Sequence, residues 1–562
     1  MSVTQCLIVS DFNCDNLSGY LKKTSDGSIQ PSCAPFGQLW PTLIDLARPG
    51  KSDKIETAII WTQPQSIVPA ISREDANLSD LFDDAMQEVD RYCDALLALE
   101  SNCNTLFVPT WTLATNSRGR GFADLKPGGL HWLLGKMNDR LIDRLGHSNQ
   151  SFVLNASKWM EKCEGTAFDP RLWYMGKIPF HRAVFQHAAE EIVGAVDAVA
   201  GRVKKLLVLD LDDTLWGGIV GEVGWQNIRL GGHDAIGEAF KDFQKSLKRL
   251  KQQGVLLAIA SKNEEAVALT AIRENPEMQL EIDDFVAWRI NWNDKARNIL
   301  SIVDELNIGI DSVVFIDDNP VERQRVRDTC PGVLVPDWPT DKMQYVTALS
   351  KLRCFDKASA TNEDAQRTKM YHAERDRSEL KHNLESVDQW LHSLEMVVEV
   401  AAVDKSNIKR ATQLLNKTNQ MNLSTRRLTE SEFLDWCSGE NREAFAFSVS
   451  DKFGDSGLTG LGSIEVVEDT AVITDFILSC RVFGRSVEDV ILSTLIDAAR
   501  RRGSKTIVAN YVATEKNIVM LNFLENSEFS NVGNAFQFAV ECNYTEPDWI
   551  HVTQKANTAS AR

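Results

Sequence analysis

In "KKLLVLDLDDTLWGG", Asp210, Asp212 and Asp213 crowd the end of an apolar run formed by Leu206, Leu207, Val208 and Leu209. Carboxylates placed there lose water and repel one another, so they stay ionised together only beside a cation. A divalent metal held by hard oxygen ligands supplies that cation, and with it Lewis-acid chemistry. Further along, "LLAIAS" ends at Ser261, followed by Lys262 and Asn263; "NWNDKARNI" presents Lys295 at a helix start; "VVFIDDNPVER" ends a strand on Asp317 and Asp318. Carboxylate, hydroxyl, amide and ammonium groups in this series suit phosphoryl transfer, which needs a nucleophile, an acid–base group and a cradle for charge.

These groups need a scaffold that brings strand ends together. Continuous apolar runs such as "KLLVLDL", "VLLAIAS", "DFVAWRI" and "SVVFIDD" read as strands buried on both faces of a parallel sheet. Open parallel sheets bind ligands beyond the carboxyl ends of their strands, where each of the polar groups falls. For any one motif, a helix cap or a loop lining is the competing explanation.

Order and chemistry together resemble the four motifs of the haloacid dehalogenase (HAD) phosphotransferase superfamily. The resemblance implies that Asp210 attacks phosphorus and that Asp212 protonates the leaving oxygen and then activates water. Thr214 supports the turn, Ser261 binds a phosphoryl oxygen with Lys262 and Asn263 beside it, and Lys295 neutralises charge. Asp317 and Asp318, with Asp210 and the backbone carbonyl of Asp212, hold Mg²⁺. The intervals from Asp213 to Ser261 and from Ser261 to Lys295 are too short for a separate cap domain. They leave room only for a flap around "WGGIVGEVGWQNIRLGG", so the site is expected to be open, as suits a macromolecule or an extended arm.

At 562 residues the chain has room for three or four domains. Its composition, 43% hydrophobic and 25% charged, is that of globular proteins with ample core material. A formal net charge of −18 argues against binding to nucleic acid or to an anionic membrane. The opening "MSVTQCLIVSDFNCD" lacks the basic region and long apolar run of a secretory leader, and no apolar stretch is long enough to span a bilayer. Eleven thinly spread cysteines form neither a disulfide framework nor a zinc pattern. A reduced, cytoplasmic protein is expected.

The expected organisation is an α/β multidomain chain. Residues 1–195 alternate strands ("CLIVSDF", "TAIIWT", "NTLFVPTW", "SFVLN") with helices, and residues 203–356 form a Rossmann-like domain with a minimal cap. Residues 357–385 are a charged, solvated linker helix. Residues 386–550 form an α+β domain with strands in "EMVVEVAAV", "AFAFSVSD", "GLTGLGSIEVV", "TAVITDFILS" and "TIVANYV". "LSCRVFGRSVEDVIL" in this last block places Arg481, Gly484 and Arg485 between a strand and a helix. It resembles the pyrophosphate loop of Gcn5-related (GNAT) acyltransferases, in which a helix N-terminus holds a CoA or pantetheine phosphate. Ser486 stands where Gly or Ala is usual, and "EKNIVMLNFLENSEF" lacks that fold's acid Tyr, so amine acetylation is not expected.

"QLLNKTNQMNLSTRR", together with "LDLDDTLWGGIVGE", "FIDDNPVER" and "SCRVFGR", resembles the FkbH-like glyceryltransferase/phosphatase family of polyketide biosynthesis, over about Asp169 to Phe529. The resemblance implies that the glyceryl unit of 1,3-bisphosphoglycerate is loaded as a thioester on an acyl carrier protein and dephosphorylated. In it, Lys417, Asn419, Gln420 and Asn422 contact phosphate or the phosphopantetheine arm; read without it, they are the polar end of an amphipathic helix. Met421 takes the place of a more usual Phe. Cys480, beside Arg481, is the candidate thiol, activated by its neighbour and by a helix N-terminus. The alternatives are a small apolar residue at a strand end, or attack by the carrier's own thiol. The first block resembles the SGNH-hydrolase-like domain that precedes the HAD domain in some family members. "VSDFNCDN" is not a G-D-S nucleophile box, and His131 and His181 show no acid partner in the sequence. This block is expected to bind or scaffold. Two further readings of the whole stay open: a phosphatase whose third domain is non-catalytic, and a non-hydrolytic assembly protein.

Overall fold

The computed structural model describes residues 3–48, 54–72, 81–113, 119–232, 234–357, 362–382, 384, 386–418, 420–514, 516–533 and 535–555. The chain divides into two compact units, Met1–Ser246 with Ile308–Ala360 and Leu247–Asn307 with Thr361–Arg562. No helix among the described residues is long and apolar enough to cross a membrane.

The first unit opens with strands β1 (Thr4–Ser10), β2 (Ile29–Cys33), β3 (Ile55–Trp61), β4 (Cys103–Pro109) and β5 (Ser151–Leu154). They form an all-parallel sheet in the order β2-β1-β3-β4-β5. Alternate residues feed opposite layers. Ala58, Ile60, Leu106 and Val108 pack against the helices Phe82–Ala98 and Leu130–Leu145; Ile59, Trp61 and Phe107 pack against Asp15–Thr24 and Arg182–Val199. Helices on both faces are what make the central strands read as unbroken apolar runs. The sequence reading missed β2 because β2 is an edge strand: only Ile29 is buried, and Pro31 interrupts the pattern.

Strands β6 (Leu206–Leu209), β7 (Leu256–Ser261), β8 (Phe285–Ile290) and β9 (Val313–Ile316) follow along the chain. In the first unit β6 and β9 run parallel, in register from Leu206↔Val313 to Leu209↔Ile316, with every residue of both strands fully buried. In the second unit β7 and β8 are parallel. The flap predicted after β6 is present: Gly217 bridges Arg229, and Val220–Val223 forms one helical turn. A Cβ on Gly217 would stand 3.0 Å from side-chain atoms of both Arg229 and Phe240, so the flap packs tightly over this glycine.

The rest of the second unit is a mixed sheet of β10 (Met396–Ala402), β11 (Met421–Asn422), β12 (Arg442–Asp451), β13 (Gly454–Val467), β14 (Thr470–Leu478), β15 (Thr506–Asn510), β16 (Ser530–Val532), β17 (Ala535–Ala539) and β18 (Ile550–Gln554). The order is β16-β17-β15-β14-β13-β12-β10-β18, with β11 added on β14. The helix Val487–Arg501 crosses this sheet over Gly460 and Gly462, where any Cβ would press on Ile491 and Leu495 at 3.1–3.2 Å. Parallel pairing of β14 with β15 stops at Ile473↔Ala509. Beyond it, the chain's own segment fills the opening: Leu423 donates to the carbonyl of Phe476, and Val512 donates to that of Leu423, both at 3.1 Å.

The segment expected to be a solvated linker is the helix Asn362–His382, and it is not merely solvated. Thr368, Ala373 and Arg377 are buried, and Arg377 makes a two-pronged ion pair with buried Asp451 at 2.6 and 2.7 Å. Its dense charges conceal in the sequence that one of them has a buried counter-ion.

Candidate active site

Parallel pairing of β6 with β9 carries one register further than the strands themselves: the amide of Asp210 donates to the carbonyl of Ile316 at 3.0 Å. Asp210 and Asp317 therefore leave neighbouring strand ends side by side. One carboxylate oxygen each from Asp210, Asp317 and Asp318 falls in a group no wider than 4.8 Å. Asp317 is fully buried, Asp210 nearly so, and the side chain of Asp318 is 28% exposed. The second strand end is tightly fixed. Thr214 Oγ1 accepts the amide of Asp318 at 3.2 Å, Asp317 Oδ1 accepts that of Asn319 at 2.8 Å, and Arg323 donates to the carbonyls of Asp317 and Asp318 at 2.7 Å each. Thr214 thus links the turn after β6 to the end of β9. Arg323, which the sequence reading passed over, lies within the quoted "FIDDNPVER" string.

The other acids of the motif face elsewhere. Asp212 Oδ1 accepts from Trp216 Nε1 at 2.8 Å and from the amide of Val220 at 3.1 Å, so the flap orients it. Its carboxylate stays out of the three-acid group, and the ligand role expected of this residue was through its backbone carbonyl. Asp213 sits at φ 53° and accepts the amide of Gly218; its carbonyl accepts Lys342 Nζ at 2.7 Å and the hydroxyl of Tyr345 at 3.0 Å. Burial, then the charges of Asp318 and Asp213, push the Tyr345 phenol well above its ordinary range and keep it a donor. Lys342 and Tyr345 come from "DKMQYV", a stretch with no motif and far from Asp213 in sequence.

Three ionisable oxygen donors concentrated at buried strand ends fit a hard divalent cation such as Mg²⁺. The donor set contains neither thiolate nor imidazole and so does not favour a softer ion.

In the second unit, Ser261 ends β7 with 1% exposure, and Asn263, equally enclosed, donates to its hydroxyl at 3.4 Å. The amide of Asn291 donates to the Ser261 carbonyl at 3.1 Å. Lys262 is half-buried. Lys295 opens the helix Lys295–Glu305, capped by Asp294, and is only 3% exposed. A lysine enclosed this far keeps its charge only beside polar partners.

The C-terminal candidates are placed less as expected. Asn422 is fully buried, its amide donating to the Thr418 carbonyl at 3.0 Å and its side-chain oxygen accepting from Thr425 at 2.9 Å, so it shapes the loop rather than facing a ligand. Asn419 and the side chain of Lys417 lie outside the described residues, and Gln420 is exposed. Arg485 is 3% exposed, with Glu374 at 2.7 Å and Asp451 at 3.7 Å, so its guanidinium ties down the helix Asn362–His382 instead of meeting a pyrophosphate. Cys480 is exposed in a single 3₁₀ turn, Cys480–Val482, with half-buried Arg481 next to it. The helix expected to act on its thiol begins only at Val487. Gly484 is exposed at φ 68°, and Ser486 takes φ 62° to start that helix. Burial raises the phenol of Tyr371, against the opposing charges of Arg367 and Arg481.

His131 does have an acid partner: Nδ1 pairs with Asp124, which also accepts the amides of Arg120, Leu130 and His131. Burial works to raise the Asp124 carboxyl, but His131 and these amides hold it below the usual carboxylate range. His181 caps the helix Arg182–Val199.

No family model and no curated protein matches the chain. Among solved structures, the N-terminal part of a Bacteroides fragilis protein, containing a phosphatase domain complexed with Mg, aligns at 29% identity and TM-score 0.57. The alignment covers 64% of this chain and 95% of that one. The ribosomal-protein-S18-alanine N-acetyltransferase of Escherichia coli aligns at 12% identity and TM-score 0.20, over 26% of this chain and 96% of that one. Spermidine N-acetyltransferase SpeG from Vibrio cholerae aligns at 12% identity and TM-score 0.21, over 25% and 94%.

Proposed function

We propose that the chain is a Mg²⁺-dependent phosphohydrolase acting through an aspartyl-phosphate on Asp210. The observation that carries this reading is the meeting of Asp210, Asp317 and Asp318 within 4.8 Å at two buried strand ends. The likeness to a Mg-complexed phosphatase domain supports it. Asp210 attacks phosphorus while the ester P–O bond breaks, and Asp212, oriented by Trp216 and Val220, gives the leaving oxygen its proton. Asp212 then takes a proton from water as that water attacks the aspartyl-phosphate, releasing inorganic phosphate and restoring Asp210. Mg²⁺ held by Asp210, Asp317 and Asp318 would neutralise the charge that these carboxylates and the phosphate bring together.

The finer reading is that the substrate is a phosphoglyceryl group. A thiol attacks the acyl carbon of 1,3-bisphosphoglycerate, the bond to the acyl phosphate breaks, and phosphate departs. The thiol is Cys480 or that of an acyl carrier protein's phosphopantetheine arm, and the remaining phosphate ester goes to Asp210. The FkbH-like strings in the sequence support this. A second reading, phosphatase alone, is favoured by the internal engagement of Asn422 and Arg485 in the C-terminal domain. Incubating the protein with Mg²⁺, 1,3-bisphosphoglycerate and a pantetheinylated carrier separates the two. A glyceryl-sized adduct on the carrier supports the finer reading, unchanged carrier with released phosphate supports the second, and no phosphate release from any ester overturns both.

A further inference from the structure

Away from the acidic site, two thiols meet in the first unit. Cys33 ends the edge strand β2, and Cys14 immediately precedes the helix Asp15–Thr24; their sulfurs are 3.3 Å apart. Their environments differ sharply. Cys14 is 6% exposed, whereas Cys33 is exposed at the surface. Both line a cavity of about 250 Å³ together with Ser10, Asn13 and Lys177. The Cys14 S–H directed at Cys33 is the largest influence on the outer thiol and lowers its pKa against the opposing effects of burial and Asp15; the same contact raises that of Cys14. The arrangement is a buried proton donor behind an accessible sulfur, which is what distinguishes a reactive thiol pair from two packed apolar residues.

We propose that Cys14 and Cys33 form a reversible dithiol–disulfide couple that reacts with hydroperoxides, Cys33 attacking and Cys14 resolving. The Cys33 thiolate attacks the peroxide, the O–O bond breaks, and the departing oxygen leaves as water or an alcohol after taking up a proton, giving a sulfenic acid on Cys33. The Cys14 sulfur then attacks the Cys33 sulfur, the S–O bond breaks, and the hydroxyl leaves as water with the Cys14 proton. Peroxide is reduced, the two thiols are oxidised, and a thiol reductant reverses the step. The two sulfurs, 3.3 Å apart, close to a bond length of about 2.05 Å when the disulfide forms. The bond would tie the turn after β1 to the sheet edge across the mouth of the cavity.

The test uses the full chain, treated with equimolar hydrogen peroxide at neutral pH, alkylated and mapped by mass spectrometry. Before alkylation the expected product is lighter by about 2 Da; after it, one peptide joins Cys14 to Cys33, and the link reverts with dithiothreitol. Cys14→Ser should stop at a Cys33 sulfenic acid that dimedone traps, and Cys33→Ser should consume peroxide at least about tenfold more slowly. Oxidation of Cys480 or Cys542 with no Cys14–Cys33 peptide in the unmutated protein overturns the proposal. So does wild-type peroxide consumption by Cys33→Ser.

Discussion

Lys342 Nζ stands 3.6 Å from Asp318 Oδ2 while donating to the carbonyl of Asp213 at 2.7 Å. One ammonium thus joins the turn after β6 to the outermost acid after β9. Lys342→Met should lower phosphatase turnover by about tenfold, or ~1.4 kcal/mol of barrier. Lys342→Arg, which keeps the charge, should recover most of it. Equal activity in the methionine variant and the parent would show that the turn holds itself.

Removal of either buried-end acid should be more severe. Asp317→Ala and Asp318→Ala each delete one of the three oxygen donors grouped within 4.8 Å. Phosphate release should fall by at least about a hundredfold, and the Mg²⁺ needed for half-maximal rate should rise. Titration of Mg²⁺ against rate for both variants checks this, and unchanged curves would place the metal elsewhere.

On the proposed glyceryl-transfer reading, Asp210→Asn separates the two bond-breaking events. Thiol attack on the acyl carbon needs no aspartate nucleophile, whereas loss of the remaining phosphate ester does. The expected product is a phosphoglyceryl thioester, heavier than the unmutated product by about 80 Da, seen by intact mass on the protein or on a carrier. A dephosphorylated thioester formed at the wild-type rate would remove Asp210 from its role.

Glu488, in the first turn of the helix Val487–Arg501, has its carboxyl pushed up to about 7, first by burial and then by Asp489. Its Oε2 has no hydrogen-bond partner among the described residues. A raised acid favours the protonated folded state, so its contribution is fully present below the ordinary glutamate range and lost as pH rises through about 7. Glu488→Gln should therefore raise thermal stability at pH 8, by ~1–3 kcal/mol, and change it little at pH 4. Melting curves of both proteins across this range give the comparison.

What the sequence revealed follows from where its signals originate. The ends of β6 and β9 were legible because a fully buried strand must be apolar and an acid at its end stands out against it. Edge strands carry no such contrast: β2 has one buried residue, and β16 has none. Partnerships between distant charges were equally hidden. Nothing near Arg377 announces Asp451, nothing near His131 marks Asp124 as its carboxylate, and Lys342 reaches Asp213 only because the fold returns there. The resemblances place Arg485 and Asn422 near a ligand, beside a plainer structural alternative for each, and in the fold both side chains have internal partners.

Leu423 spends its amide on one side and its carbonyl on the other, joining Phe476 to Val512. Any chain-like molecule seeking the gap between β14 and the continuation of β15 competes with a resident strand that is covalently attached and always at high effective concentration. Access there is an exchange of one set of backbone hydrogen bonds for another.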